Sequence, residues 1–325
     1  MKIDTYRSVN AEKSGLVNER IRLESDEGTV EVTIGICVRN GERTIKETLA
    51  SVLNQTFPHG RMEIIVVDDG STDRTLQIVT ELLSRTDIQV QIYSTNGEGL
   101  GTARQMVVDN CRGRYIIWVD GDMILSNDFV QENVNLMSKN PTVGVCGAKL
   151  KNKLSGSAVA KLEVLSYIRE FEMKVNRKDI KRTGTGGSIF RVAALKKVGG
   201  FDRKIRGAAE DADVTARIKS AGYSLVLGQA ELEHKFTQTW KGTWNHSAWY
   251  GYGIHFLYHK NKHLVDFRIY FFPISFAMGI IRLIMAFKAT HKWICFLLPF
   301  FYLFKTVAWW YGFFKAHIEN YGHRT

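Results

Sequence analysis

Carboxylates follow directly after two apolar runs of the chain, and this placement could do chemistry. The aliphatic run Ile64–Val67 leads into Asp68–Asp69, and Tyr115–Val119 leads into Asp120–Asp122. Apolar runs bounded by turn residues predict strands that are buried on both faces. Open α/β sheets bind ligands beyond the carboxyl ends of such strands, and carboxylate oxygens suit hard cations such as Mg²⁺ or Mn²⁺. The pattern predicts a crevice for a cation and a diphosphate.

Each acidic pair also has a purely structural interpretation. Asp68–Asp69 could cap the helix that follows the turn, whose N-cap we expect at Thr72 or Asp73. Asp120–Asp122 could be solvated turn acids. The sequence leaves both alternatives open.

Charge and cysteine usage narrow the range of partners. The 325 residues carry a net charge of +11, which favours an anionic partner. We do not expect nucleic acid, because no basic helix or aromatic platform has the required spacing. The four cysteines are widely spaced and form no CxxC pair, so they predict neither a disulfide framework nor a zinc site. The polar N-terminus predicts no signal peptide.

The elements that must position the acids alternate between strand and helix patterns. This order predicts an α/β fold with a mainly parallel sheet and helices on both faces. We expect a polar lead-in over 1–29, the α/β domain over 30–235, an aromatic connecting region over 236–268 and a hydrophobic helical hairpin over 269–325. The predicted strands are Val30–Val38, Ile64–Val67, Ile88–Tyr93, Tyr115–Val119 and Val143–Ala148.

The C-terminal region contains two long apolar stretches. Ile269–Phe287 carries one charge, Arg282, and Trp293–Phe314 carries one, Lys305. Both approach the roughly 20 apolar residues that span a bilayer, although a charge at its centre costs about 2.5–3.5 kcal/mol. A spanning hairpin, helices lying in the membrane interface and a soluble core or oligomer surface all remain open. We expect membrane association, with the catalytic domain on the cytoplasmic side.

Several motifs in fixed order carry a resemblance to a known family. The ordered set resembles the inverting family-2 glycosyltransferases of the GT-A fold over about Val30 to Val226. Where that family usually has Pro and Tyr before the first-strand Asn, this chain has Val38 and Arg39, whose guanidinium plane can stack on a base. The motifs are Val38-Arg39-Asn40-Gly41-Glu42, Asp68-Asp69-Gly70-Ser71, Asp120-Gly121-Asp122, the glycine-rich loop Thr183–Ser188 with Arg191, Gly199-Gly200-Phe201-Asp202 and Glu210-Asp211.

The resemblance implies a nucleoside-diphosphate sugar donor and a divalent cation, Mg²⁺ or Mn²⁺. It implies that Asp69 holds the nucleobase, that Asp122 binds the metal and that Asp120 shares the metal or binds ribose. His234 would contact metal or diphosphate, or else be a buried structural histidine. The implied donor-binding residues are Val38, Arg39, Asn40, Glu42, Asp69, Arg104, Asp120 and Gly121.

The resemblance also implies an acceptor side. Asp211 would be the general base and Glu210 would hydrogen-bond the acceptor, although acids at a helix start can simply complement its dipole. Gly186 and Gly187 would let the backbone approach the sugar or acceptor, or merely form a turn. Trp240 would stack on the acceptor or pack at the membrane.

The predicted function is inverting transfer of a sugar to a hydroxyl acceptor, lipid-linked or polysaccharide, at the membrane. The alternatives are a polyprenyl-phosphate acceptor, a sugar-1-phosphate nucleotidylyltransferase and a non-catalytic membrane-bound module that binds nucleotide sugars. The nucleotidylyltransferase would normally show a Gly-x-Gly-Thr-Arg loop after the first strand, where this chain has Arg39–Glu42.

Overall fold

A computed structural model describes residues 21–22, 30–151, 154–175, 180 and 183–322. The predicted lead-in over 1–29 therefore lies outside the described residues, except for one two-residue strand. The chain divides into two compact units: the first comprises Met1–Lys151, Arg177–Arg206 and Val214–Lys235, and the second Asn152–Asn176, Gly207–Asp213 and Phe236–Thr325.

The first unit is built on one sheet that contains all nine described strands. Its order is β1-β4-β3-β2-β5-β8-β7-β9-β6. The strands are β1 (Ile21–Arg22), β2 (Val32–Val38), β3 (Met62–Asp68), β4 (Gln89–Ser94), β5 (Tyr115–Trp118), β6 (Met123–Leu125), β7 (Val143–Leu150), β8 (Ile189–Arg191) and β9 (Ser224–His234).

Helical crossovers explain which strands run parallel. The segment from β2 to β5 contains α1 (Ile45–Leu53), α2 (Thr75–Leu83) and α3 (Leu100–Asn110), and its four strands pair in parallel. A parallel connection requires such a crossover. The pair β7–β9 is also parallel, whereas β1–β4, β5–β8, β7–β8 and β6–β9 are antiparallel.

Two hydrophobic clusters cover opposite faces of the sheet. Ile64 and Val66 of β3 belong to one cluster, with side chains of α1, α2 and α4 (Phe129–Lys139). Ile65 and Val67 belong to the other, with side chains of α3, α6 (Val192–Lys197) and α7 (Glu210–Ser220). Because alternate residues of a strand face opposite sides, the four aliphatics are buried on both faces. The predicted α/β fold with helices on both faces is confirmed.

Helix boundaries differ slightly from the sequence expectation at the first acidic pair. The helix α2 begins at Thr75 with Arg74 as its N-cap, not at Thr72 or Asp73. Asp73 still contributes, because its Oδ1 accepts a hydrogen bond of 3.0 Å from the Thr75 backbone N–H. The Asp73 carboxyl has a lowered pKa: desolvation opposes the shift, but the hydrogen bonds from Thr75 and Glu42 outweigh it.

The second unit is helical. It contains α5 (Ala158–Val175), α8 (Trp240–Lys260), α9 (Phe272–Thr290), α10 (Leu298–Ile318) and the first residues of α7. Its core includes Leu162, Leu165, Leu298 and Phe301. The helices α8 and α10 touch through glycine, since a Cβ at Gly251 would lie 1.9 Å from the Trp309 carbonyl oxygen.

Two described segments are long and apolar enough to cross a membrane. They are Phe272–Thr290 and Trp293–Ile318, the second comprising a 3-10 turn (Trp293–Leu297) and α10. Only 17% and 39% of their apolar windows are buried. Every large apolar side chain that is exposed among the described residues belongs to the second unit.

Candidate active site

Asp69, which follows β3, joins its own loop to the loop after β4 at the carboxyl edge of the sheet. Its Oδ1 accepts a 2.5 Å hydrogen bond from the Thr95 hydroxyl, and both carboxylate oxygens accept from the Gly99 backbone N–H at 3.1–3.2 Å. Asp69 is 8% exposed. A carboxylate offers about four lone-pair sites, so these contacts hold the loop after β4 and leave acceptor capacity for a ring N–H.

The neighbouring Asp68 acts as a turn cap. Its carboxylate accepts hydrogen bonds from the backbone N–H and the hydroxyl of Ser71. Asp68 therefore stabilises the turn itself and does not cap the helix α2, which begins at Thr75.

The loop after β2 is tied to the loop after β3 by side chains that we predicted to bind the donor. The Asn40 side-chain oxygen accepts from the Thr72 N–H at 2.8 Å, and the Asn40 N–H donates to the Ser71 hydroxyl at 2.8 Å. Glu42 accepts from the Arg74 N–H at 3.2 Å. Asn40 has a φ of 52°, a conformation that Asn tolerates better than most residues. These hydrogen bonds hold together the loops that follow the neighbouring strands β2 and β3.

Arg39, Val38 and Gly121 lie at the same edge. A Cβ at Gly97 would come within 3.2 Å of the Arg39 guanidinium, so this cation lies against the loop that Asp69 holds. A Cβ at Gly121 would lie 2.9 Å from Val38 Cγ2. Glycine at 121 thus lets the chain turn after β5 directly against β2.

Arg104 is a buried cation rather than a surface charge. It lies on α3 and is 3% exposed. Its Nη2 donates to Asp120 Oδ1 at 3.2 Å, and its guanidinium lies 5.8 Å from the Trp118 ring centroid. This ion pair fixes the Asp120 carboxylate, of which 37% remains exposed, at the end of β5.

The pKa of the Cys37 thiol is shifted by its burial and by the charges of Arg104, Asp120 and Asp69. Burial raises the pKa of its thiol to about 12; Arg104 opposes the shift, and Asp120 and Asp69 add to it. The Cys37 thiol of β2 is therefore influenced by acids that follow both neighbouring strands, β3 and β5. The thiol stays protonated at neutral pH, and a thiol in that state is a poor nucleophile.

Antiparallel pairing brings Asp122 and His234 together. Met123 of β6 is opposite His234 of β9, and His234 Nε2 lies 3.1 Å from Asp122 Oδ2. The Asp122 carbonyl also accepts from the Lys235 N–H at 2.8 Å. The sequence suggested both residues but could not show that they touch.

A divalent cation fits this carboxylate and imidazole only with help from other ligands. The described residues contain no group of three or more His, Cys, Asp or Glu side chains arranged to hold a metal ion. Mg²⁺ is usually bound by one or two carboxylates together with substrate phosphates and water. Asp122, His234 and the exposed part of Asp120 suit that kind of site.

The glycine-rich loop approaches the acids closely. A Cβ at Gly186 would lie 2.8 Å from Asp120 Oδ2 and 2.4 Å from Met123 Cε. Gly187 has a φ of 70°, and a Cβ there would overlap Leu232 at 1.9 Å. The Gly187 N–H donates to the Trp118 carbonyl at 2.9 Å, which fastens the loop beside β5.

Glu210, Asp211 and Trp240 belong to the second unit. Glu210 is 2% exposed, and Asp211 Oδ1 accepts from the Ala212 N–H at 2.7 Å. Trp240 is 46% exposed and packs edge-on against Phe304, with ring centroids 5.0 Å apart. Ala209, just before the helix, has a φ of 83°, a strained backbone of the kind that clusters at functional sites.

Sequence reasoning missed Thr95, Gly99, Cys37 and Ala209 as parts of these regions. The glycine-rich Asn96–Gly101 loop gave a signal for Gly99. For Thr95 and Cys37 the sequence offers no pattern, since their roles depend on which strands are neighbours.

The fold and these contacts define an α/β protein whose sheet carries carboxylates beyond the ends of its parallel strands β3 and β5. The chain belongs to glycosyl transferase family 2, whose family model matches residues 33–199. The predicted family is therefore confirmed. Glu210, Asp211, His234 and Trp240 lie beyond the matched range.

Curated relatives agree with this membership. Over 151 residues the chain is 26% identical to an uncharacterized glycosyltransferase of Haemophilus influenzae, covering 44% of this chain and 59% of that protein. Over 171 residues it is 33% identical to a poly(ribitol-phosphate) beta-glucosyltransferase of Bacillus spizizenii, covering 52% of this chain and 26% of that protein. The chain thus spans less than two thirds of these relatives.

A solved structure shows the same fold. The mannosyltransferase PcManGT of Pyrobaculum calidifontis, in complex with GDP-Man and Mn²⁺, superposes with a TM-score of 0.61 at 16% identity. The match covers 89% of this chain and 87% of that one. The predicted GT-A type fold is confirmed.

Proposed function

We propose that the chain transfers one sugar, with inversion, from a nucleoside-diphosphate sugar to a hydroxyl acceptor at a membrane. The observation that carries the proposal is the grouping of Asp69, Asp120 and Asp122 beyond the parallel strands β3 and β5, with Arg104 and His234 in contact with two of them. Ligands of α/β sheets bind at this edge. The nucleotide sugar and Mn²⁺ of PcManGT support a donor and a cation of the same classes.

On this proposal the donor lies along the crevice, with its base near Asp69 and Arg39. Asp69 accepts a hydrogen bond from the ring N–H of the base, and the Arg39 guanidinium stacks on it. Asp120, held by Arg104, contacts the ribose or shares the cation. Asn40, Glu42, Val38 and Gly121 shape the rim of the crevice.

Asp122 and His234 are the side chains that would hold Mg²⁺ or Mn²⁺. When bound, the cation neutralises the charge of the departing nucleoside diphosphate. Gly186 and Gly187 let the glycine-rich loop lie close to Asp120 and the sugar, because a Cβ at Gly186 would already meet Asp120 Oδ2 at 2.8 Å.

Asp211 is the proposed general base. It takes the proton of the acceptor hydroxyl while that oxygen bonds to the anomeric carbon and the bond to the diphosphate breaks. Glu210 positions the acceptor by a hydrogen bond, and Trp240 offers an exposed ring on which a sugar can stack.

The two apolar segments of the second unit support membrane association. The cytoplasmic side is the side that we propose for the catalytic part. A lipid-linked or polysaccharide acceptor suits such a position, and a polyprenyl phosphate is the alternative. We propose the domain division 30–235, 236–268 and 269–325 on the same grounds.

Donor binding tests the proposal. Calorimetry of the full-length protein with UDP-, GDP- and dTDP-sugars, with and without Mn²⁺, should reveal one class of base that binds in the presence of the cation. Asp69→Asn should weaken that class, because the amide replaces an acceptor oxygen with a donor. Failure of every donor to bind would refute the proposal.

A further inference from the structure

The helix α8 lies directly against the backbone that precedes Asp211. A Cβ at Gly253 of α8 would lie 2.0 Å from the Ala208 carbonyl oxygen and 2.6 Å from the Ala208 nitrogen. A Cβ at Gly207 would in turn lie 3.2 Å from the Gly253 Cα. Both backbones belong to the second unit. Glycine at 253 therefore lets the segment before Asp211 contact the helix with no side chain in between.

A buried ion pair joins the same helix to the residues that follow Asp211. Lys260 is the last residue of α8, and its Nζ lies 2.9 Å from Asp213 Oδ1. Of the Asp213 side chain 4% is exposed, and of the Lys260 side chain 27%. The helix α8 thus contacts the chain both before and after Asp211.

The segment between these two contacts is held in a strained conformation. Ala209 has a φ of 83° and is 4% exposed, and a residue other than glycine keeps such a backbone only where its surroundings impose it. The Ala209 carbonyl accepts from the Asp213 N–H at 3.1 Å. Asp211 lies within this first turn of α7, and its Oδ1 accepts from the Ala212 N–H at 2.7 Å. The position of the Asp211 carboxylate therefore follows the position of the turn.

From these contacts we propose that Lys260 is a positioning residue for sugar transfer. This role rests on the proposed function, which makes Asp211 the general base. Lys260 acts through Asp213: it holds the first turn of α7, and the turn holds the Asp211 carboxylate where the acceptor hydroxyl loses its proton. The contact at Gly253 holds the same turn from its other side.

Turnover by the full-length protein, with water as the acceptor, tests this role. UDP-glucose, GDP-mannose and dTDP-glucose are supplied with Mn²⁺, and release of nucleoside diphosphate is followed for the donor that turns over fastest. Lys260→Met should lower kcat about 10- to 100-fold, because misplacing a reacting group by about 1 Å has an effect of this order. Donor affinity, measured by calorimetry, should stay that of the wild type. Lys260→Arg keeps a cation beside Asp213 and should keep most of the wild-type kcat.

A double-mutant cycle separates positioning from stability. If Lys260 acts through Asp211, Lys260→Met should lower kcat by less than about twofold once Asp211→Asn has removed the base. A purely structural ion pair would lower kcat by the same factor in both backgrounds. Lys315→Met is the matched control, because it breaks an exposed pair 3.9 Å long with Glu319 in the same unit. Its kcat should equal that of the wild type.

A second variant and a measurement without substrate apply even if Lys260→Met fails to fold. Asp213→Asn/Lys260→Met removes both charges of the pair, a change that buried pairs often tolerate. Its kcat should fall as in Lys260→Met while its thermal unfolding stays close to that of the wild type. Hydrogen exchange followed by mass spectrometry should be faster over Gly207–Asp213 in this variant than in the wild type, and unchanged in Lys315→Met.

The outcomes distinguish this inference from the function on which it rests. Wild-type kcat in the folded Lys260 variants, an equal factor in both backgrounds, or wild-type exchange over Gly207–Asp213 would overturn the positioning role alone. Wild-type kcat in Asp211→Asn would overturn the base assignment and the positioning role together. Donor binding without any release would overturn both as well.

Discussion

The carboxylates at the sheet edge serve different purposes although they follow similar strands. Asp68 accepts hydrogen bonds within the turn at Ser71, and Asp69 binds the loop after β4. Asp120 is paired with the buried Arg104. Asp122 lies 3.1 Å from His234 Nε2, and 40% of its side chain is exposed. Chemistry at this edge is thus expected from Asp120 and Asp122 more than from Asp68.

At the residue scale the first prediction concerns Asp211. Asp211→Asn should lower kcat by about 10²–10⁴-fold, because general-base catalysis typically contributes that much. Donor affinity should stay within a few-fold, since Asp211 is not assigned to the donor. Steady-state kinetics and donor calorimetry on the same preparation measure both quantities.

The outcome also reports the acceptor class. A phosphate acceptor is ionised at neutral pH and needs no base, so with a polyprenyl phosphate the loss should be far smaller. Loss of donor binding in Asp211→Asn would instead show that the residue belongs to the donor site, and the base would be misassigned.

At the element scale, the close approach of the glycine-rich loop to β5 and β6 predicts a steric effect. A Cβ in Gly186→Ala would meet Asp120 Oδ2 at 2.8 Å, so the carboxylate or the loop must shift. Misplacement of a reacting group by about 1 Å can cost roughly 100-fold, and we expect a loss of about 10- to 100-fold in kcat/KM with little change in thermal stability.

Gly60→Ala provides the control for that variant. A Cβ at Gly60 meets nothing within 4 Å, so its kcat/KM should equal that of the wild type. Equal activity of both variants would show that the loop does not constrain Asp120.

A second prediction at this scale concerns α5 and α10, which share a buried ion pair. Glu163 Oε2 lies 2.8 Å from Lys305 Nζ, with 4% and 28% of the side chains exposed. Glu163 also accepts from the Thr243 hydroxyl at 3.3 Å. Lys305→Met should lower the free energy of unfolding by about 3 kcal/mol, the lower end for breaking a buried pair. The reason is that the Glu163 carboxylate is then buried without a counter-ion.

Denaturant unfolding in detergent measures this cost, and two comparison variants calibrate it. The double variant Glu163→Gln/Lys305→Met should recover most of the loss, since no charge is left unpaired. Lys315→Met on the same helix breaks an exposed pair 3.9 Å long with Glu319 and should cost less than about 0.5 kcal/mol. Equal effects of Lys305→Met and Lys315→Met would contradict the account.

The same pair shows what sequence reasoning could and could not reach. The apolar stretches and the single lysine within one of them are visible in the sequence, but no local pattern shows that this lysine has a carboxylate partner. Its partner lies 142 positions earlier in the chain. Strand β3 was predictable because four aliphatics in a row carry their own signal, whereas the partners of Asp69 come from loops 26 and 30 positions away. Local pattern predicts elements, and pairing between distant elements depends on the whole fold.

At the scale of the whole molecule, exposed apolar side chains concentrate in one unit. Ile281 and Phe300 are 51% and 64% exposed, and full burial of such side chains is worth roughly 1.5–3 kcal/mol each. We predict that the wild type floats with vesicles of zwitterionic lipid and that Ile281→Ser/Phe300→Ser partitions at least about 10-fold less into them.

Lys288→Ser is the control for flotation, because Lys288 is an exposed charge at the end of α9 and should add little to binding an uncharged surface. Truncation before α9 is a poorer test, since α9 and α10 contribute Ala286, Leu298 and Phe301 to the core of the second unit. A wild type that remains a soluble monomer without detergent would contradict membrane association.

The most direct test of the central claim is turnover of the donor. Purified full-length protein should release nucleoside diphosphate from one class of nucleotide sugar in the presence of Mn²⁺ or Mg²⁺, and transfer should accelerate the release once a suitable acceptor is added. Chelation by EDTA should abolish release, and Asp122→Asn should do so while its thermal unfolding remains that of the wild type. Release that persists in EDTA or in Asp122→Asn would contradict the metal assignment, and binding of the donor without any release would favour a non-catalytic module over a transferase.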